Sequence, residues 1–242
     1  MKIMSTMLTV CIMGISSAFA APTAPDSESK AVAKSLRVVL IGASIGEAWN
    51  LPELPRRTHS VGYEFDALQA WQFDKSDVLD EVLMRPTRKF KLTRTYFTGF
   101  FKPSPRRADV VVIKECSAYF PRDIPLKDRQ ALIDHWVRQI RGKNIEPMLA
   151  TSVPVTRARA AQDPGKQQGL LAFNDWIREY ARKNGVVLLD LETATRTDSQ
   201  DRYLRDDLAV EDGSHLNRKA YDLLDKRMLE AICAVKPTQG CP

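Results

Sequence analysis

Three residues in this chain have the types and placement that serine-based acyl chemistry needs: Ser44, Asp212 and His215. Ser44 follows the run Arg37-Val38-Val39-Leu40-Ile41 within Gly42-Ala43-Ser44-Ile45-Gly46, so a buried strand ends in small residues that permit a sharp turn into a helix. A serine at the carboxyl end of such a strand faces the edge of an α/β sheet where ligands bind, and its hydroxyl is a candidate nucleophile. Serine is also a favoured N-cap, so this pattern alone leaves both roles open. Near the other end lies Val210-Glu211-Asp212-Gly213-Ser214-His215-Leu216-Asn217. A carboxylate three residues ahead of a histidine can fold back to hold one ring nitrogen, which fixes the tautomer and frees the other nitrogen as a general base. The chain has only 3 histidines, so one beside an aspartate at a helix start carries weight.

These groups need a scaffold, and the hydrophobic pattern supplies one. Strands are expected at Arg37 to Ile41, Val61 to Trp71, Val110 to Ile113, Glu146 to Thr151 and Val186 to Leu191. Between them, apolar residues recur at helical spacing: Val78, Leu79, Val82 and Leu83 behind an N-cap at Ser76; Leu126 to Ile140; and Leu170 to Ala181, stopped by Asn184-Gly185. A short helix from Glu47 is expected to end at Pro52 and Pro55, and a last helix runs from about Asn217 to Ile232. Alternating strands and helices imply a three-layer α/β/α fold with a five-stranded parallel sheet. The literal Gly-x-Ser-x-Gly at Gly42 to Gly46 does not mark an α/β-hydrolase elbow, because that turn follows several strands and here at most one precedes Ser44.

Residues 1–20 stand apart from the fold. Lys2, an apolar run to Ile15 and Ala18-Phe19-Ala20 have the order of a cleaved signal peptide, and the run is too short for a membrane span. Residues 21–35 have linker composition, which leaves 36–242 as a single domain. A periplasmic or secreted protein without a stable membrane anchor is therefore expected. The formal charge is +6, and Arg85 to Arg107 holds eight Lys or Arg and no Asp or Glu, interleaved with aromatics. In an exported protein that segment points to anionic polysaccharide or another acidic surface rather than nucleic acid, although a solvated rim with its aromatics turned inward is the commoner use of such a run. Cys233 and Cys241 flank a short tail and could close a disulfide, leaving Cys116 as a small buried hydrophobe. The histidines are dispersed and none pairs with cysteine at ligand spacing, so no metal and no cofactor is expected.

Taken together, Gly42-Ala43-Ser44-Ile45, the run from Asn174 to Asp190 and Asp212-Gly213-Ser214-His215-Leu216-Asn217 resemble the sequence blocks of the SGNH or GDSL hydrolases, a likeness that spans about residues 36 to 232. The resemblance implies a flavodoxin-like SGNH fold, with Ser44 as nucleophile, His215 as general base and Asp212 as its orienting carboxylate. It also implies an oxyanion hole built by the nucleophile's own N–H and by residues after the second and third strands. The family has a glycine and an asparagine at those two places; here Phe73-Asp74-Lys75-Ser76 and Glu115-Cys116-Ser117 stand there, which assigns the role to Ser44, Asp74 and Ser117.

The reading that follows is an exported serine esterase acting on an O-acyl or O-acetyl ester, on envelope or extracellular carbohydrate or on a lipid. No long apolar run suggests a lipase lid, which tilts the choice toward carbohydrate. The alternatives are a non-catalytic SGNH-like protein that binds anionic or acylated glycan, and an O-acyltransferase using the same three residues.

Overall fold

The computed structural model describes residues 35–85, 92–94, 101–103, 106–120, 125–198 and 200–236. The expected signal peptide, nearly all of the linker, most of the basic segment and Cys241 lie outside the described residues. Cys233 is disulfide-bonded, and its partner lies outside them too.

Five strands form one parallel sheet: β1 (Leu36–Gly42), β2 (Tyr63–Gln69), β5 (Val110–Lys114), β6 (Glu146–Ala150) and β7 (Val187–Leu189). Their spatial order is β2-β1-β5-β6-β7. The register pairs Val38 with Phe65 on one side and with Val110 on the other. Within the basic segment, β3 (Leu92–Arg94) and β4 (Phe101–Pro103) form a separate antiparallel ribbon.

Alternate residues of β1 and β5 feed two different cores. Val38, Leu40, Val110 and Val112 pack on one face, and Val39, Ile41, Val111 and Ile113 on the other. All eight are buried, which is why these strands read as unbroken apolar runs. The first face is covered by α1 (Ser44–Ala48), α2 (Leu54–Thr58), α7 (Leu191–Thr195) and α8 (Arg218–Val235), through Trp49, Leu54, Leu191, Leu224 and Met228. The second is covered by α3 (Ser76–Met84), α4 (Leu126–Gly142) and α6 (Pro164–Asn184), through Leu79, Trp136, Ile140, Phe173 and Ile177. A four-residue helix, α5 (Arg157–Ala160), precedes α6. The three-layer α/β architecture expected from the sequence is the one observed.

Several local expectations shift. Pro52 and Pro55 do not end a helix; they sit in the first turns of a 3₁₀ segment (Leu51–Glu53) and of α2, where a missing N–H costs nothing. The chain turns instead at Asn50, with φ 49°. The fifth strand stops at Leu189 because the Asp190 side chain accepts from Thr193 N–H and starts α7. Ser76 is the first residue of α3 rather than its cap. Gly185 closes α6 with φ 59°, as the Asn-Gly pair predicts. No helix among the described residues is long and apolar enough to cross a membrane.

Candidate active site

Leaving the centre of the sheet, β1 and β5 run side by side, yet the chain goes from β1 to β2 on one flank and from β5 to β6 on the other. Loops diverge at such a point and open a crevice at the strands' carboxyl ends. A cleft of about 560 Å³ lies there, lined among others by Ser44, Trp71, Ser117, Arg159, Lys166 and His215.

Ser44 is the first residue of α1, directly after β1. Its Oγ is 3.0 Å from His215 Nε2. The other ring nitrogen, Nδ1, hydrogen-bonds Asp212 Oδ2. Asp212 Oδ1 accepts from the backbone N–H of Ser214 at 2.8 Å and of His215 at 2.9 Å, so the carboxylate is oriented by its own loop. Burial pushes the Asp212 carboxyl up, but these hydrogen bonds and the adjoining imidazole outweigh it and hold the group at about 2.

The loop is a tight reversal. Val210 N–H bonds His215 O at 3.0 Å, Gly213 N–H bonds Val210 O at 3.0 Å, and Gly213 adopts φ 65°. Thr156 N–H reaches Gly213 O at 2.9 Å, fixing α5 against it. Behind the loop, Asn217 caps α8, its side chain accepting from Ala220 N–H. Further along α8, Asp225 accepts from Trp49 Nε1 at 2.7 Å and from both Nε and a terminal nitrogen of Arg57, each at 2.7 Å. One buried carboxylate thus ties the helix that begins at Ser44 to the helix that follows His215.

Two first-turn residues whose N–H groups have no intrahelical acceptor line the same crevice: Ser44, in the first turn of α1, and Ser117, at the start of a 3₁₀ turn (Ser117–Tyr119). Ser117 lines the cleft and is nearly buried. Asp74 does not line it. Its Oδ1 accepts from Ser76 N–H and Ser76 Oγ, at 2.9 and 2.6 Å, and these bonds hold its carboxyl below the ordinary value. The loop that carries Asp74 supplies Trp71 to the cleft lining.

Beneath the Ser117 loop lies a group of charges that composition alone assigns to the surface. Lys75 and Glu115 have side chains 0% and 1% exposed and meet at 2.7 Å. Lys75 Nζ also donates to Gln72 O and Phe73 O, each at 3.2 Å. Glu115 O receives bonds from Lys114 Nζ at 3.0 Å and Ser152 Oγ at 3.1 Å. Burial pushes the Glu115 carboxyl up and the Lys114 ammonium down. The buried Asn174 holds Ser152 at both its N–H and C=O, at 2.7 and 2.8 Å. The loops after β2, β5 and β6 are therefore one polar network. Replacing Lys75 by Met leaves Glu115 buried without its ammonium, and about 3–5 kcal/mol of stability should be lost. Urea unfolding would check this, with the pair Lys75→Met and Glu115→Leu recovering most of the loss.

Sequence reasoning did not single out Trp71, Arg159 and Lys166 as site residues. Position holds the clue: each lies in or just beyond a loop at the carboxyl end of β2 or β6.

A five-stranded parallel sheet of this order, with serine, histidine and aspartate aligned at its carboxyl edge, defines the fold of the GDSL/SGNH acylhydrolases. Among solved structures the chain is similar to a GDSL-like lipase from Bacteroides thetaiotaomicron, with 17% identity over 82% of this chain and 88% of that one, TM-score 0.58. It is also similar to a lipase/acylhydrolase from Enterococcus faecalis, with 18% identity, 84% and 99% coverage and TM-score 0.58. A third is a catalytic mutant of an acetylxylan esterase from Geobacillus stearothermophilus, with 13% identity, 83% and 95% coverage and TM-score 0.56. The profile of the GDSL-like Lipase/Acylhydrolase family matches residues 88–223, more than half of the sequence, and the chain belongs to that family. No curated protein matches it.

Proposed function

We propose that this protein is an exported serine esterase that removes O-acyl groups, acetyl foremost, from carbohydrate. The observation that carries the reading is the 3.0 Å approach of Ser44 Oγ to a histidine nitrogen whose ring is held by Asp212. In that geometry Ser44 Oγ attacks the ester carbonyl carbon while His215 Nε2 takes its proton. The carbonyl oxygen, now anionic, is met by the N–H groups of Ser44 and Ser117, with the Ser117 hydroxyl close by in the place where the family has asparagine. Collapse expels the sugar alcohol, which takes the proton from His215. Water, deprotonated by the same nitrogen, then hydrolyses the acyl-serine and restores Ser44.

Carbohydrate is favoured over lipid by Trp71, whose indole is 61% exposed at the cleft and held by a bond from Nε1 to Gln69 Oε1 at 3.1 Å. A flat apolar ring beside a polar crevice suits the face of a pyranose. The signal-like residues 1–20 support export.

The test is a fluorophosphonate probe on the mature protein, scored together with acetate release from acetylated saccharides. A single adduct at Ser44 with acetate release supports the reading; a folded protein that takes no adduct overturns it. Acyl groups appearing on an added sugar alcohol instead of in water would identify a transferase.

A pH dependence follows. Asp212 sits at about 2, below the ordinary carboxylate value, so it is ionised throughout the range in which an imidazole titrates. The stability it lends is present above its unfolded value and is lost as pH falls through the folded one. Stopped-flow acylation should therefore show no ascending step near pH 4, where an unperturbed aspartate titrates; such a step would contradict the assigned role of Asp212.

A further inference from the structure

Two cations line the cleft of the candidate nucleophile with no acidic partner among the described residues. Arg159, in α5, and Lys166, in the first turn of α6, both line the cleft that holds Ser44 and His215. Neither forms an ion pair among the described residues. The arginines around them are engaged: Arg157 with Asp201 at 3.7 Å, Arg178 with Asp190 at 2.8 Å, Arg202 with Asp175 at 2.6 Å and Arg205 with Asp207 at 2.9 Å. Among the described residues the Arg159 side chain donates to the neutral Gln162 Oε1, at 2.5 Å.

Arg159 is also fixed in relation to the reacting groups. Its Cβ lies 3.1 Å from where a side chain on Gly213 would begin, so its stem rests on the loop between Asp212 and His215. A guanidinium so anchored presents a planar fork, and Lys166 adds a point charge on the same wall. The cleft's negative groups do not cancel them. Asp212 is committed to His215, which leaves Glu211 as a single carboxylate against two cations.

We infer that the substrate is an acidic saccharide: an O-acylated sugar whose own carboxylate, or an equivalent anionic substituent, is held by Arg159 and Lys166 while Trp71 supports the ring. This deepens the esterase reading and rests on it for the reaction, though not for the binding. The carboxylate shape matches the arginine fork, and the exposed indole favours a sugar ring over an acyl chain as the bearer of the charge.

The experiment compares kcat/KM for an acetylated uronic-acid oligosaccharide with that for an acetylated neutral xylo-oligosaccharide. Wild type should prefer the uronate ester, and the preference should shrink in high salt as the charges are screened. Arg159→Gln and Lys166→Gln should each cut the uronate-to-neutral ratio about tenfold, the scale of losing a hydrogen bond to a charged group. Arg159→Lys should keep more of the ratio than Arg159→Gln. Glu211→Gln should move it the opposite way, which a merely structural role would not do. In parallel, calorimetric binding of the uronate oligosaccharide to Ser44→Ala protein, in wild-type and Lys166→Gln backgrounds, reads the subsite without turnover. If Ser44 proves unreactive but the uronate binds and Lys166→Gln weakens it, the esterase reading falls and the subsite stands. A wild-type ratio near one with no binding overturns the inference, and so does a preference for a short-chain phospholipid ester over both saccharides.

Discussion

Replacing Ser44 by Ala should abolish fluorophosphonate labelling and lower ester hydrolysis by a factor on the order of 10⁴ to 10⁶, leaving the fold intact. The large number follows from the geometry. Ser44 Oγ is the hydroxyl that His215 Nε2 reaches, at 3.0 Å, and the methyl that replaces it has no lone pair to attack with. The fold should survive because the side chain is half-buried and the core beneath it is made by Val38, Leu40 and Trp49. His215→Ala should cost about as much as Ser44→Ala, because the two act as a unit, and combining them should add little. Asp212→Asn should be intermediate: an amide keeps the shape but invites the wrong imidazole tautomer. Mass spectrometry of the labelled protein and steady-state rates on one acetylated saccharide would check the series. Additive losses in the double variant would refute the picture of one hydrogen-bonded line.

The second large effect is expected at a residue with no side chain of its own, through Gly213→Ala. A Cβ there would lie 2.3 Å from Thr156 Oγ1 and 3.1 Å from Arg159 Cβ, and the backbone stands at φ 65°, where an alanine is strained. The loop has little room to yield, since its N–H and C=O are bonded to Val210 and Thr156. It must shift as a whole and carry Asp212 and His215 with it. A displacement of about 1 Å is enough to cost about 10²-fold in rate. Turnover should therefore fall about 100-fold or more, with the midpoint of thermal unfolding also lowered. Adding Thr156→Ala removes the nearest clash and should restore part of the rate but not all, because the strain and the Arg159 contact remain. Full activity in Gly213→Ala alone would show that the loop does not set the position of His215.

How much of this was legible beforehand depended on what each feature is made of. Runs such as Val38 to Ile41 and Val110 to Ile113 are buried on both faces, so burial itself writes them into the sequence, and their strands stand where expected. Gly185 ended its helix by the backbone freedom that made it readable. Asp212 and His215 were readable as a pair because their contact is local. Lys75, Lys114 and Glu115 were not, since a charged residue signals water unless its partner is known, and Lys75 meets Glu115 only after the loops of β2 and β5 converge. Counting along the loop places Asp74 near the site, whereas its carboxylate accepts from the N–H and hydroxyl of the nearby Ser76. The cleft's Trp71, Arg159 and Lys166 come together from two separate loops, a proximity that no spacing in the sequence expresses.

The proposed nucleophile Ser44 and its proposed base His215 are 171 residues apart, whereas His215 and Asp212 are separated by 3. The Asp212–His215 pair belongs to one short loop and assembles locally, while Ser44 joins it only when the first strand and the last helix are both seated. Labelling at Ser44, the expected result, would thus be a readout of the closed chain. A nick, or a partial opening that released α8 from Trp49 and Arg57, would silence Ser44 while most of the sheet endured. In such a molecule loss of labelling would run ahead of loss of circular dichroism, and the gap between the two would measure how cooperatively the ends of the chain are held together.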